Sequence, residues 1–449
     1  MPESAPHPDN QTLAKHPEED LSEVQARMRA DWNQRAQEDA HYYVAFGRRD
    51  QDGQEFDETA AEVVAGLEWE LKRIPTTHPR ARRALEIGCG PGRLLRPMSR
   101  LFGEIHGVDV SSEMIDRARQ RLQAIPHAHT HTGSGSDLAP FADASFDFVY
   151  SYAVFQHIPS REVVMSYLAE AVRVLKPGGL VRAQVNGLPQ TAKSYDTWSG
   201  VRISAAEIRD FCQHHRLQLL ALEGLDTQYM WTTWLKPPAA PATEPAQIAI
   251  RRITNAFSSE PVAPPSGRFA SVSAWIDGLP QHADLLNLTL AFDGRASTLT
   301  YLGRRDADGL QQLNAILPPG LATGLTPVAL SLAGHPHSPQ TRFRIIPAPP
   351  AVPRILTISD GIDLMSGHRV RSGTIKMQLE EFHDIEKLEV TFGGRRINFL
   401  DIFCTDPMPP RHEVNFQIPS SRDLPPGSYP LELRVGSRRF SPVVLDVVR

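Results

Sequence analysis

The chain has 449 residues, 41% hydrophobic and 22% charged, with a formal net charge of −5. That length exceeds one ordinary domain, and the charge excludes nucleic-acid binding through a broad basic field. The widely spaced Cys89, Cys212 and Cys404 exclude a disulfide framework; with no signal-peptide pattern and no membrane-spanning apolar run, a cytoplasmic location is expected.

Residues 1–20 are polar, acidic and proline-containing and read as disordered. A helix is expected next, with Leu21, Val24, Met28 and Trp32 on one face. A second helix carries Val63, Val64, Leu67, Leu71 and Ile74, and the capping-box spacing of Thr59 and Glu62 sets its start there. Between them lies an aromatic cluster, residues 39–46. Its Tyr42 and Tyr43 either pack between the helices or form a lid over a ligand.

From Ala84 to about Lys236 strands and helices alternate. Strands are expected at 84–87, 105–110, 127–132, 146–150, 179–185, 217–222 and 228–234. Helices start at Ser111 or Ser112, at Ser160, and at Ser204, where Glu207 completes a capping box and Ile203 and Ile208 form a staple. This alternation implies an α/β, doubly wound, mostly parallel sheet.

Residues 236–248 form a proline- and alanine-rich linker, after which helical periodicity vanishes. The remainder is an internal repeat. Residues 287–295 match 387–395, 100 positions on, and 313–318 match 414–419. Asp293-Gly294 and Gly393-Gly394 are tight-turn dipeptides between alternating strands. Two all-β, immunoglobulin-like sandwiches are expected, at 249–347 and 351–449, separated by a second proline-rich linker.

The chemistry concentrates in Ala84-Leu-Glu-Ile-Gly-Cys-Gly-Pro-Gly92, a buried strand that ends in an acid and a glycine turn. A dinucleotide fingerprint starting at Gly88 needs a small residue at position 93, where Arg93 stands. The second strand ends at Asp109, whose two oxygens suit two vicinal ribose hydroxyls. Asp137, after the third strand, can accept from an adenine amino group. Three strand-end acids and a glycine turn fit a nucleoside ligand without pyrophosphate, and Glu86 favours a cationic amino-acid portion.

These residues resemble the class I S-adenosylmethionine-dependent methyltransferases over about 80–235. Residues 84–92 are similar to the first motif and 107–114 to the second. Ser136-Asp137 and 141–150 resemble the adenine loop and fourth strand, and 175–180 the turn into the fifth. The resemblance implies a Rossmann-like seven-stranded sheet, last strand antiparallel, with S-adenosylmethionine as cofactor. It places Glu86, Gly88, Cys89, Gly90 and Gly92 at the methionine portion and Asp109 at the ribose. Val110, Met114, Ser136, Asp137 and Leu138 fall at the adenine, and Ser151 at the methyl-transfer site.

His157, past the fourth strand, is the candidate general base, needed only where the acceptor arrives protonated. Tyr195 and Trp198 are candidate acceptor-pocket walls. His127, His129 and His131 alternate on an edge strand, and no metal site is expected from them. The repeats resemble bacterial immunoglobulin-like modules of the IPT/TIG kind, which implies binding, spacing or self-association. The expected activity is methyl transfer to O or N of a small-molecule or glycan acceptor. The alternative is an inactive methyltransferase fold that serves as a scaffold, with the β-modules binding a protein partner.

Overall fold

The computed structural model describes residues 20–45, 49–74, 78–190, 195–238, 248–267, 269–337, 341–364, 366–382, 384–398, 400–406, 410–419 and 424–448. The expected disordered start, apart from Asp20, lies outside the described residues, as do Phe46 and most of the 236–248 linker.

Strands β1 (Arg83–Ile87), β2 (Glu104–Asp109), β3 (Ala128–Thr132), β4 (Phe146–Ser151) and β5 (Leu175–Val185) pair in parallel in the order β3-β2-β1-β4-β5. Two further strands, β6 (Gln218–Glu223) and β7 (Met230–Leu235), complete the order as β5-β7-β6, with β7 antiparallel to both neighbours. β1 is buried on both faces apart from Arg83, as a central parallel strand must be when helices cover it.

Those helices are α1 (Leu21–Ala45), α2 (Gly53–Glu58), α3 (Ala61–Leu71), α4 (Leu95–Met98), α5 (Ser112–Leu122), α6 (Arg161–Val174) and α7 (Ala205–His214). The starts expected at Ser111, Ser160 and Ser204 are the N-caps of α5, α6 and α7, and Glu207 closes the capping box. Ile203 and Ile208 beside it are both buried.

The start expected at Thr59 is incorrect. The capping box belongs to Asp52 and Glu55 at the head of α2, where Asp52 accepts from the Gln54 and Glu55 amides at 2.8 and 2.9 Å. Thr59 is the C-cap of that short helix, and its hydroxyl donates to the Phe56 carbonyl at 2.6 Å. Asp52→Ala is expected to cost about 1 kcal/mol, read as a shift of the first urea unfolding transition.

Leu21, expected inside, is exposed, while Val24 and Met28 are buried. α1 breaks at Asp39, whose carboxylate accepts from the Tyr42 amide at 3.0 Å and the Asp50 amide at 2.9 Å. This capped kink re-aims the last turn, which carries Tyr42 and Tyr43.

The β-rich remainder contains two sheets per repeat. In the first, four strands continue the α/β sheet beyond β6 in the order 298–305, 311–316, 271–277 and 249–255, giving one sheet of eleven strands. The seam pairs Tyr301 with Ala221. It is reinforced by the Leu285 amide on the Leu219 carbonyl at 2.9 Å and by Arg209 on the Leu285 and Leu299 carbonyls at 3.2 and 3.1 Å. One hydrophobic cluster accordingly runs from Val24 through Phe211 to Ile345.

The second repeat has its own core, between a sheet of strands 354–360, 374–380, 411–417 and 401–406 and a second sheet built around 388–392 and 427–435. Both tight-turn dipeptides adopt the expected conformation: φ is +50° and +74° at Asp293-Gly294, and +57° and +74° at Gly393-Gly394. Among the described residues no helix is long and apolar enough to cross a membrane.

Candidate functional site

A cavity of about 1440 Å³ opens at the carboxyl ends of β1, β2, β4 and β5, the position where ligands sit in open parallel sheets. Its floor is the glycine turn. The Gly88 and Cys89 amides both donate to the Val108 carbonyl, at 2.8 and 3.1 Å, which folds the turn back onto β2. Gly88 has φ +71°, and a Cβ there would stand 2.3 Å from Val154 Cγ2. Only glycine satisfies both the dihedral and the space.

Asp109 ends β2 and holds this turn in place. One carboxylate oxygen accepts from the Gly90 amide and the other from the Ser111 amide, each at 2.9 Å. Each oxygen keeps a second acceptor direction. Burial pushes the Asp109 carboxyl up, against the pull of those amides.

Glu86 is buried beneath the turn and accepts from the Tyr150 hydroxyl at 2.9 Å. Burial, only partly offset by that bond and by Arg93, raises its pKa to about 8. An acid held uncomfortably in this way favours a cation brought alongside it.

Glu86, Gly88, Cys89, Gly90, Asp109, Val110, Met114 and His157 all line the cavity. Gly92, Ser136, Asp137, Leu138 and Ser151 are not among its lining residues. Gly92 lies against α5, where an added Cβ would meet Ala118 Cβ at 3.5 Å. Ser136 accepts from Gln25 of α1 at 2.5 Å. Asp137 accepts from the Ala139 amide at 3.1 Å, and Leu138 is fully buried in the core. The Ser151 hydroxyl donates to the Ile87 carbonyl at 2.9 Å, tying β4 to β1.

His157 donates through Nδ1 to the Trp198 carbonyl at 3.0 Å, so Nε2 carries the lone pair, 3.2 Å from Gln156 Nε2. Burial lowers its pKa to about 4, leaving the imidazole neutral near pH 7. Gln156 Oε1 is buried and has no hydrogen-bond partner among the described residues.

Tyr42 and Tyr43 do line the cavity, as does Trp198; Tyr195 does not, and its hydroxyl bonds Gln190 at 2.8 Å. Sequence reasoning missed Arg35, Gln156 and Tyr167. Arg35 of α1 clips the 195–200 loop: it donates to the Thr197 carbonyl and hydroxyl at 2.9 and 3.0 Å, and lies over the Trp32 and Trp198 rings.

The alternating histidines do not act together. His127 bonds the Ser99 carbonyl at 3.0 Å, whereas His131 meets His106 at 3.0 Å. Glu104, His106 and His129 converge closely enough for a metal. The Arg83 guanidinium, however, already sits 3.1 Å from the Glu104 carboxylate and 3.3 Å from His106 Nε2.

Residues 85–183 match the family model of a methyltransferase domain. The chain is 28% identical over 151 residues to trans-aconitate 2-methyltransferase of Rhodopseudomonas palustris, covering 31% of this chain and 55% of that protein. It is 37% identical over 119 residues to phosphoethanolamine N-methyltransferase 2 of Caenorhabditis elegans, 26% of each chain. It is 33% identical over 98 residues to ubiquinone biosynthesis O-methyltransferase of Xanthomonas oryzae, 22% of this chain and 40% of that one. The chain thus spans between about a quarter and about half of these relatives' length.

Proposed function

We propose that the α/β region transfers a methyl group from S-adenosylmethionine to an oxygen or nitrogen of a small-molecule or glycan acceptor. The observation that carries this reading is the convergence of Glu86, the Gly88–Gly90 turn and Asp109 on one cavity with ample further space. The similarity to O- and N-methyltransferases supports the same reaction class.

S-adenosylmethionine is the methyl donor of this domain, and its sulfonium supplies an electrophilic methyl group beside a neutral leaving thioether. The residues present fit it. The turn offers close backbone approach, Asp109 retains acceptor capacity for two hydroxyls, and Glu86 supplies a negative charge for an ammonium group. The work left to the protein is alignment and exclusion of water. Trp32, Tyr42, Tyr43 and Trp198 supply apolar walls for that purpose.

His157 stands on the acceptor side as the proposed proton-accepting group. A pKa near 4 makes it a weak proton sink. With Nδ1 donating to the Trp198 carbonyl, its one lone pair, on Nε2, faces the Gln156 amide. An acceptor hydroxyl or amine therefore displaces that amide to donate its hydrogen bond there, and His157 takes the proton only as the methyl bond forms. His157→Ala is expected to lower kcat about tenfold, the value of one such bond, with S-adenosylhomocysteine affinity unchanged. Calorimetric titration of the whole chain with S-adenosylhomocysteine tests the donor site, and absence of binding would exclude the enzyme. Methyl-labelled donor incubated with fractionated cell extract then identifies the acceptor.

A further inference from the structure

Single small-ligand sites occupy about 300–1,000 Å³, and the cavity here, at about 1440 Å³, is larger because its far wall belongs to the second repeat. Lys376, Asp401, Glu413 and Asn415 lie on the same cavity as Gly88 and Asp109. The two parts face each other at separate points: Asp360 is within electrostatic reach of Tyr42 in the last turn of α1, and Glu413 of Tyr229 before β7.

The wall is the outward face of the sheet formed by 354–360, 374–380, 411–417 and 401–406. Strand register sets Ser359, Lys376, Asn415 and Asp401 in one row across it. The outer face of a sandwich sheet ordinarily meets bulk water. Here Lys376 and Glu413 pair at 2.8 Å with side chains only 14% and 13% exposed.

The first repeat provides an internal comparison. Its Asn314 aligns with Asn415 and, by the same register, its Ser273, Tyr301 and Gln312 stand where the second repeat has Lys376, Asp401 and Glu413. In the first repeat Ser273 and Gln312 both bond Asn314 Oδ1 at 2.8 Å, and the Tyr301 hydroxyl accepts from Trp69 Nε1 at 3.1 Å. Its edge strand, 298–305, bridges to β6 at Tyr301 and Ala221. The second repeat replaces three neutral positions with charged ones on the face that meets the cavity.

We propose that this face is the acceptor-recognition wall, and that the acceptor is a saccharide held between the two regions. This rests on the methyl-donor reading above. A sugar ring presents an apolar C–H face and pairs of vicinal hydroxyls. Trp198 and Tyr229, 45% and 42% exposed on the cavity, offer aromatic platforms for the first. Asn415 and Asp401 offer paired acceptors and an amide donor for the second. Asp401 makes no side-chain hydrogen bond or ion pair among the described residues, whereas Asn415 commits one donor, to Glu413 at 3.1 Å.

The test applies the fluorescently labelled full chain, saturated with S-adenosylhomocysteine, to an array of natural mono- and oligosaccharides. At least one saccharide is expected to bind. Asp401→Ala/Asn415→Ala should weaken that binding at least about tenfold, while titrated S-adenosylhomocysteine affinity stays within about twofold. Lys376→Ser/Glu413→Gln, which installs residues the first repeat already folds with, should weaken it in the same direction. Retention of no saccharide, or equal retention by wild type and both variants, would overturn the proposal. If wild type fails to bind S-adenosylhomocysteine yet loses saccharide in the variants, the donor reading falls and the wall stands.

Discussion

Asp109→Ala is expected to lower S-adenosylhomocysteine affinity by about 100-fold or more. The proposed ligand places two ribose hydroxyls on this carboxylate, and hydrogen bonds to a charged group contribute about 1.5–3 kcal/mol each. Two of them reach about 3 kcal/mol, two decades in Kd. A second loss adds to the first, because the same oxygens hold the Gly90 and Ser111 amides at 2.9 Å. Without them the glycine turn is no longer fixed against the start of α5. Isothermal titration measures the affinity, and a parallel thermal scan separates lost binding from lost fold. Affinity within threefold of wild type would place the ribose elsewhere.

The second large effect is a pH dependence. Burial holds Glu86 near a pKa of about 8 in the free protein, so at pH 7 it is mostly protonated. An ammonium group beside it favours the carboxylate and lowers that pKa, so binding releases a proton. Affinity should therefore rise with pH by up to about tenfold per unit below pH 8 and level off above it. Titrations at pH 7 in buffers of differing ionisation enthalpy should report up to about one proton released. Glu86→Gln should abolish both the slope and the proton release. The free protein should move the other way: its Glu86 keeps a proton that the unfolded chain loses near the ordinary carboxyl value of about 4.3. This contribution to folding stability declines as pH rises from there to about 8.

Features carried by neighbouring residues were readable from the chain. Ser111, Ser160 and Ser204 cap their helices because a cap needs only the next few amides. The two φ-positive dipeptides close their hairpins because the turn type is set by two residues. Thr59 misled because Asp52 and Glu55 offer the same box seven residues earlier, and the short helix they start ends at Thr59 itself. Glu86, Gly88 and Asp109 were legible as a set because strand ends in a parallel sheet converge. Arg35, Gln156 and Tyr167 were not, because each reaches the cavity from an element whose placement depends on packing. No local pattern marks the pairing of Tyr301 with Ala221 either, since a strand edge carries no signature of its partner.

That pairing sets where the protein can be divided. β6 ends the seven-stranded series and would otherwise present a row of unpaired amides and carbonyls, the template on which sheets aggregate. Strand 298–305 of the first repeat bridges to it at Tyr301 and Ala221, the Leu285 amide bonds the Leu219 carbonyl, and the shared hydrophobic cluster runs across the seam. A fragment cut at the linker near Lys236 would uncover that edge and strip apolar surface from α7. A protease nick at the same place should leave both pieces associated through gel filtration. The smallest fragment expected to keep that edge and the shared cluster intact therefore ends after Ile345.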